Sequence, residues 1–327
     1  MKVVVLHDEL PDDPRPDEQD SLSQAHAVAG WLEEAGHEAL RLPCGLDLAS
    51  ARRALDELAP ELVFNLVESL GGTGRLIHVA PALLDAMGLA RTGASAEAMW
   101  LTSHKVLAKR LLAGAGLPTP AWVEAGGDAA GARPGRWIVK SVHEDASIGM
   151  DDDAVVEAAD PQRLAHLAAE RAGRLGGAAF AEAYVEGREF NLALLGKGGD
   201  VEVLPAAEIA FDAYPPGKPR IVGYAAKWDA GSFEFANTPH RFDFPAEDAA
   251  LLLELDRLAR RCWSLFGLTG YARVDFRVDA QGRPWILEAN ANPCLSEDAG
   301  FTAAAERANL TPRAVIERIV AEALSPA

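Results

Sequence analysis

The sequence has little of several features that mark whole protein classes. Its three cysteines, Cys44, Cys262 and Cys294, lie far apart, form no CxxC pair and are odd in number, which argues against a disulfide framework and for reduced thiols in a cytoplasmic setting. No apolar run approaches membrane-spanning length. The opening MKVVVLHDELPDD has too short an apolar stretch for a signal peptide and runs into acids rather than a small-residue cleavage site. Basic residues are the minority, with 31 Lys plus Arg against 49 Asp plus Glu and a formal charge of −18. That balance speaks against nucleic acid or an anionic membrane as the main partner. GxGxxG, GxxxxGK(S/T), HExxH and GxSxG are all missing, so dinucleotide oxidoreductase and serine hydrolase chemistry lose their usual support.

What is there is ordinary globular material, 49% hydrophobic and 24% charged over 327 residues, enough for two or three domains. KVVVLH, HEALRLP and ELVFNLV read as strands. They alternate with a helix LSQAHAVAGWLEEAG, capped by Ser21 and Gln24, and with helices near 49–59 and 77–87, which predicts a small parallel sheet covered by helices. LARTG reads as a boundary strand, followed by one basic amphipathic helix in AEAMWLTSHKVLAKRLLAGAG, ended by glycines and Pro118. TPAWVEA, RWIVKSV, the loop HEDASIGM, the helix PQRLAHLAAERAG and AAFAEAYV make a second unit. REFNLALLG, DVEVLPAAEIA, a helix over 246–266, a hairpin and a last helix opened by Thr311 and Pro312 make the third.

The hairpin RVDFRVDAQGRPWILEANANP, 273–293, carries many polar atoms for paired strands that are otherwise apolar. Alternation puts Arg273, Asp275 and Arg277 on one face and Val274, Phe276 and Val278 on the other. A four-residue loop over 279–282 pairs Val278 with Arg283 and sets Arg273 opposite Glu288. Ile286, Glu288 and Asn290 then join the polar face, and Trp285, Leu287 and Ala289 the core. Asp275 and Glu288 become diagonal neighbours able to share a hard cation such as magnesium. A solvated hairpin with an Arg273–Glu288 ion pair is the competing reading.

Lys105, Lys140 and Lys227 stand where an anionic ligand could meet them, or are simply solvated. Lys140 interrupts an apolar strand just before the loop holding Ala146, Ser147 and Gly149, whose backbone N–H groups could cradle phosphate. Its acids, Glu144 and Asp145, weaken that reading. Glu182 and Glu189 flank a strand end and a turn, where carboxylates accept bonds from amino or hydroxyl groups.

The order of SHKVLAKRLLAGAGLPTPAWV, WIVKSVHEDASIGM, FAEAYVEGREFNLALL and GYARVDFRVDAQGRPWILEANANP resembles the ATP-grasp superfamily, and within it the D-alanine–D-alanine ligases. The resemblance implies an α/β fold of α+β lobes: a Rossmann-like N-terminal domain over 1–95, a central subdomain with the phosphate loop over 96–185, and a larger C-terminal subdomain with the metal site over 186–327. It implies ATP with two magnesium (or manganese) ions. Lys105, Lys140, Ser147 and Lys227 would meet the phosphates, Glu182 and Val185 the adenine, and Glu189 the ribose. Asp275, Glu288 and Asn290 would hold the metals, and Arg273 and Lys227 would act at the reacting oxygens. The implied reaction is ADP-forming: a carboxylate takes the γ-phosphate, and an amine attacks the resulting acyl phosphate. Small carboxylate and amine substrates are the implied partners, and a homodimer is common in the family.

Departures cluster where the first amino acid would sit. A Glu, Ser and Tyr set is matched by Asp17, Ala146 and Trp228, so two hydroxyls are missing. Cys294 stands at a glycine, Ala299 at a serine and Val67 where histidine is common. These changes lead to the expectation of a carboxylate–amine ligase whose substrates are not two D-alanines, since losing hydrogen-bond partners changes what a site accepts. The alternatives are an authentic D-alanine–D-alanine ligase and a non-catalytic ATP-binding regulatory protein.

Overall fold

The computed structural model describes residues 1–129, 132–197 and 199–325. The chain starts with β1 (Lys2–Asp8), α1 (Pro16–Glu34), β2 (Glu38–Cys44), α2 (Leu48–Leu58), β3 (Leu62–Asn65) and α3 (Val79–Ala86). The three strands form a parallel sheet in the order β2-β1-β3. Val4 and Leu6 face α2 and α3, while Val3 and Val5 face α1 and the C-terminal part of the chain. A strand covered on both sides needs an unbroken apolar run, and KVVVLH supplies it.

The first helix begins earlier than its expected Ser21–Gln24 cap. Pro16 opens it, and Glu18 accepts a 2.8 Å bond from the Arg15 N–H. Ser21 lies inside the helix, its hydroxyl donating to the Glu18 carbonyl at 2.8 Å. LARTG forms only a single bridge, Arg91 to Val63. The expected basic helix is two helices, α4 (Ala96–Ser103) and α5 (Lys105–Gly114). They are broken at His104, whose ring accepts the Leu107 N–H at 3.2 Å and so caps α5 with Lys105 at its first position.

A four-stranded antiparallel sheet follows, from β4 (Trp122–Glu124), β5 (Gly135–Ser141), β6 (Val155–Ala158) and, after α6 (Gln162–Arg171), β7 (Ala179–Ala183), in the order β4-β7-β5-β6. The large sheet contains β8 (Arg188–Lys197), β9 (Asp200–Val203) and β10 (Ala207–Ile209). After the short helices α7 (Tyr224–Trp228) and α8 (Phe233–Ala236) come β11 (His240–Arg241), α9 (Ala249–Phe266), β12 (Thr269–Val278) and β13 (Pro284–Asn290). Its order is β11-β10-β8-β12-β13, with β9 on β8. Helices α10 (Gly300–Arg307) and α11 (Pro312–Leu324) close the chain. Thr311 caps α11 by accepting the Ala314 N–H at 3.2 Å.

One face of the large sheet, with Phe190, Leu192, Val274, Phe276 and Ile286, packs on Leu255, Leu258, Cys262 and Trp263 of α9. The other face is apolar where Ala193, Leu195 and Tyr271 meet Val3, Val5 and Phe64 of the first sheet. Further along the same strands it turns polar, at Asn191 and Glu189 of β8 and at Arg273, Asp275 and Arg277 of β12. That change of character lays the floor of the cleft.

Candidate active site

The hairpin register differs from the expected one. The Asp279 N–H meets the Arg283 carbonyl at 3.0 Å, which makes a longer turn and sets Val278 opposite Pro284. Phe276 then faces Ile286. A bulge opposite the Asp275–Phe276 step passes over Leu287, so that Asp275 lies opposite Glu288 and Arg273 opposite Asn290. Ile286 is therefore fully buried in the core, and Trp285, opposite Arg277, is not. The extra residue changes the strand's parity between Ile286 and Glu288, which is how one strand sends Ile286 to the core and both polar side chains to the cleft.

Asp275 accepts Arg273 Nε at 2.7 Å and Nη2 at 2.8 Å, and Asn191 Nδ2 at 2.7 Å. Burial alone would push its carboxyl up; the Arg273 guanidinium and Lys227 overcome that and hold it below the usual range. Among the described residues no three His, Cys, Asp or Glu side chains gather as a metal cluster. Two facing carboxylates and Asn290 nevertheless fit a hard cation that takes few protein ligands and completes its shell with phosphate oxygens and water.

Four lysines surround this floor. Lys105 Nζ bonds Asp145 Oδ1 at 2.5 Å and the Glu144 carbonyl at 3.0 Å, and lies 4.0 Å from Glu288 Oε2. Burial lowers its pKa, but Asp145 and Glu288 more than offset this. Lys227, on α7, is lowered by burial and by Arg273. Lys140 donates to Glu182 Oε1 at 2.7 Å, and Lys109 donates to the other oxygen at 2.6 Å. Glu182 is thus held ionised below its usual range, the two ammoniums overcoming the burial that opposes ionisation. Lys109 also reaches Thr119 Oγ1 at 2.7 Å, which donates to the Ile286 carbonyl at 3.0 Å. Glu189 accepts Arg277 Nη1 at 3.1 Å, and the Val185 carbonyl accepts Arg277 Nε at 3.0 Å.

The loop after β5 is docked on its neighbours. Glu144 accepts the Thr73 hydroxyl at 2.9 Å and the Gly74 N–H at 3.0 Å. The Trp228 indole donates to the Ala146 carbonyl at 2.9 Å. Ser147 does not point free into the cleft; its hydroxyl donates to the Val222 carbonyl at 2.8 Å. Ala146 and Ser147 both take positive φ, 55° and 59°, an uncommon conformation for side-chain-bearing residues held by these contacts.

Asp17, Ala146 and Trp228 are brought together, with a fourth residue the sequence reading missed. Tyr224 donates its hydroxyl to Asp17 Oδ1 at 2.7 Å, so one of the two absent hydroxyls is supplied four positions from Trp228. Ala299 precedes α10 as an N-cap without a side-chain bond. Cys294 Sγ contacts Asp20 Oδ2 at 3.3 Å and Ser296 Oγ at 3.1 Å; burial drives its thiol pKa upward, so it stays protonated. Lys109, Asn191 and Tyr224 were missed, and Arg277 was placed on the polar hairpin face but given no role. Periodicity held a signal for two of them: Lys109 follows Lys105 by one helical turn, and Asn191 follows Glu189 on the same strand face.

A family model described as "D-ala D-ala ligase C-terminus" matches residues 136–321, more than half of the chain. The solved D-alanine–D-alanine ligase of Bacillus anthracis complexed with ATP superposes with a TM-score of 0.75 at 18% identity, over 99% of this chain and 97% of that one. The ligase of Coxiella burnetii does so at 0.71, 16% identity and 99% and 95% coverage. These likenesses define the ATP-grasp fold. In sequence, the D-alanine–D-alanine ligase of Gloeobacter violaceus is 30% identical over 94% of this chain and 96% of its own, and the uncharacterized protein y4sG of Sinorhizobium fredii is 32% identical over 95% and 89%. The chain belongs to the D-alanine–D-alanine ligase family and is an ADP-forming ATP-grasp ligase. Among the described residues no helix is long and apolar enough to cross a membrane.

Proposed function

We propose that this ligase joins two D-alanine molecules. The choice of D-alanine rests on relatives named for it at about this chain's full length, and the observation that supports the ligase chemistry is the facing pair Asp275 and Glu288 with Arg273 and the buried Lys227 in one cleft. The expectation of a different substrate pair has no support from the relatives, which include ligases named for D-alanine at about this chain's full length. It is weakened further by the Tyr224 hydroxyl on Asp17. One observation favours it as a second reading: Ala146 carries no hydroxyl, and the bulky Trp228 lies against it.

Lys105 and Lys140 would bind the nucleotide phosphates, Glu182 and Val185 the adenine, and Glu189 the ribose hydroxyls. Asp275, Glu288 and Asn290 would hold two magnesium ions, which when bound neutralise triphosphate charge. Arg273 leaves Asp275 to meet the oxygens on which negative charge develops, and Lys227 stands beside it. Ser147 turns from Val222 to the phosphates, and the docked loop keeps water from the acyl phosphate. Asp17 and Trp228 would line the first amino acid's site, and Cys294 and Ala299 the second's. The three free thiols fit a reducing cytoplasm, and a homodimer follows the family habit.

ADP release measured with D-alanine alone, then with L- and D-amino acid pairs and short peptides, tests the substrate. Stimulation by D-alanine alone upholds the proposal; stimulation only by other pairs moves it to the second reading. Asp275→Ala is expected to abolish turnover with the fold intact by circular dichroism.

A further inference from the structure

Most carboxylates around the cleft have a cation: Asp275 has Arg273, Glu182 two lysines, Glu189 Arg277, Asp145 Lys105 and Asp17 Arg15. Among the described residues Asp8 and Asp20 lack one, but Asp8 accepts the Glu68 N–H and the Ser69 hydroxyl, and Asp20 accepts Cys294 and Ser296. Glu144 likewise accepts two. Glu68 differs. Among the described residues its carboxylate has one hydrogen-bond donor, the neutral Gln24 amide at 3.0 Å.

Its position is fixed against the turn that follows β13. The same Gln24 side chain accepts the Leu295 N–H at 2.9 Å, and Asn292 donates to the carbonyl of Val67, the preceding residue, at 3.2 Å. Burial first, and then Asp8, push the Glu68 carboxyl up to about 8. The groups that act on it most strongly are Asp8 of β1, Asp20 and Gln24 of α1 and Asp145 of the loop after β5, and its charge is in turn felt by Tyr271 of β12 and Cys294. Among the described residues none of these is a cation, and no salt bridge reaches its carboxylate.

We propose that Glu68 receives the ammonium group of the amine substrate and takes its proton, a catalytic role resting on the ligase reading above. The acceptor arrives as R–NH3+. One proton passes to the Glu68 carboxylate, and the freed lone pair forms the C–N bond at the acyl-phosphate carbon. The C–O bond to phosphate breaks, phosphate leaves with the electron pair, and the remaining excess proton on nitrogen passes to the departing phosphate. The arriving ammonium is the countercharge that the pocket lacks, and a base titrating near neutrality is suited to this transfer.

Hydroxylamine separates this step from the rest, because it is uncharged at neutral pH and attacks an acyl phosphate without prior deprotonation. Glu68→Gln is expected to lower ligation of the amine substrate by about 100-fold or more while ATP-dependent hydroxamate formation stays near the wild-type rate. Glu68→Asp should recover part of the ligation. Ligation by Glu68→Gln within a few fold of wild type overturns the inference, as does equal loss of both reactions in a folded variant. If Glu68→Gln does not fold, the wild-type profiles decide: turnover with the amine substrate should rise through about pH 8 while the hydroxylamine rate stays flat, and parallel profiles overturn it. Failure of the wild type to form either product with any amino acid removes the ligase reading itself.

Discussion

At the residue scale the cleft is governed by how buried charges are compensated. Glu182 and Lys109 are almost wholly buried, with side-chain exposures of 2% and 1%, and breaking such a pair leaves a charge without its partner. Lys109→Met is expected to cost about 3–5 kcal/mol, towards the lower end because Lys140 remains on Glu182. Urea unfolding measures it. Because Glu182 is assigned to the adenine, KM for ATP should rise as well; an unchanged KM would separate the pair from nucleotide binding. Lys140 stood out because it interrupts an apolar strand, and Glu182 and Glu189 because they flank a strand end and a turn, whereas Lys105 was picked out of its basic helix only by the family resemblance. Lys109 was not singled out, because one lysine among several on a basic helix carries no mark of the carboxylate waiting 73 positions further on.

At the element scale the loop after β5 depends on a close backbone approach. A Cβ at Gly223 would stand 2.5 Å from the Met150 carbonyl oxygen, where the Tyr224 N–H also bonds at 2.8 Å. Since the obstacle is backbone, Gly223→Ala must push the loop off the segment that carries Tyr224, Lys227 and Trp228. Proteolytic cleavage within 143–150 should quicken and ATP turnover should fall, with stability of the large sheet little changed; unaltered proteolysis would show the loop has other support. The hairpin teaches a related lesson. Its polar residues were readable, but the bulge at Leu287 was not, because strict alternation cannot choose between Ile286 and Glu288 for the core.

For the whole molecule, the first sheet shares the core on its α1 side with the C-terminal part of the chain. Val3, Val5 and Phe64 share a cluster with Leu195, Tyr271, Phe301, Ile316 and Ile319. A fragment of residues 1–95 therefore leaves a large apolar face in water and is expected to bind a hydrophobic dye and to melt without a sharp transition. Cooperative melting of that fragment, followed by circular dichroism, would contradict the shared core.

The sequence by itself determined the strands, most of the helices and the set of polar groups on the β12–β13 hairpin, because periodicity and capping act between neighbours in the chain. Only the tertiary structure decided which charges meet. Tyr224 reaches Asp17 across 207 positions, Lys109 closes on Glu182, and Glu68 is left facing acids. Such pairings depend on how three sheets are set around one cleft, and burial then fixes whether each charge is held, neutralised or left open for a substrate.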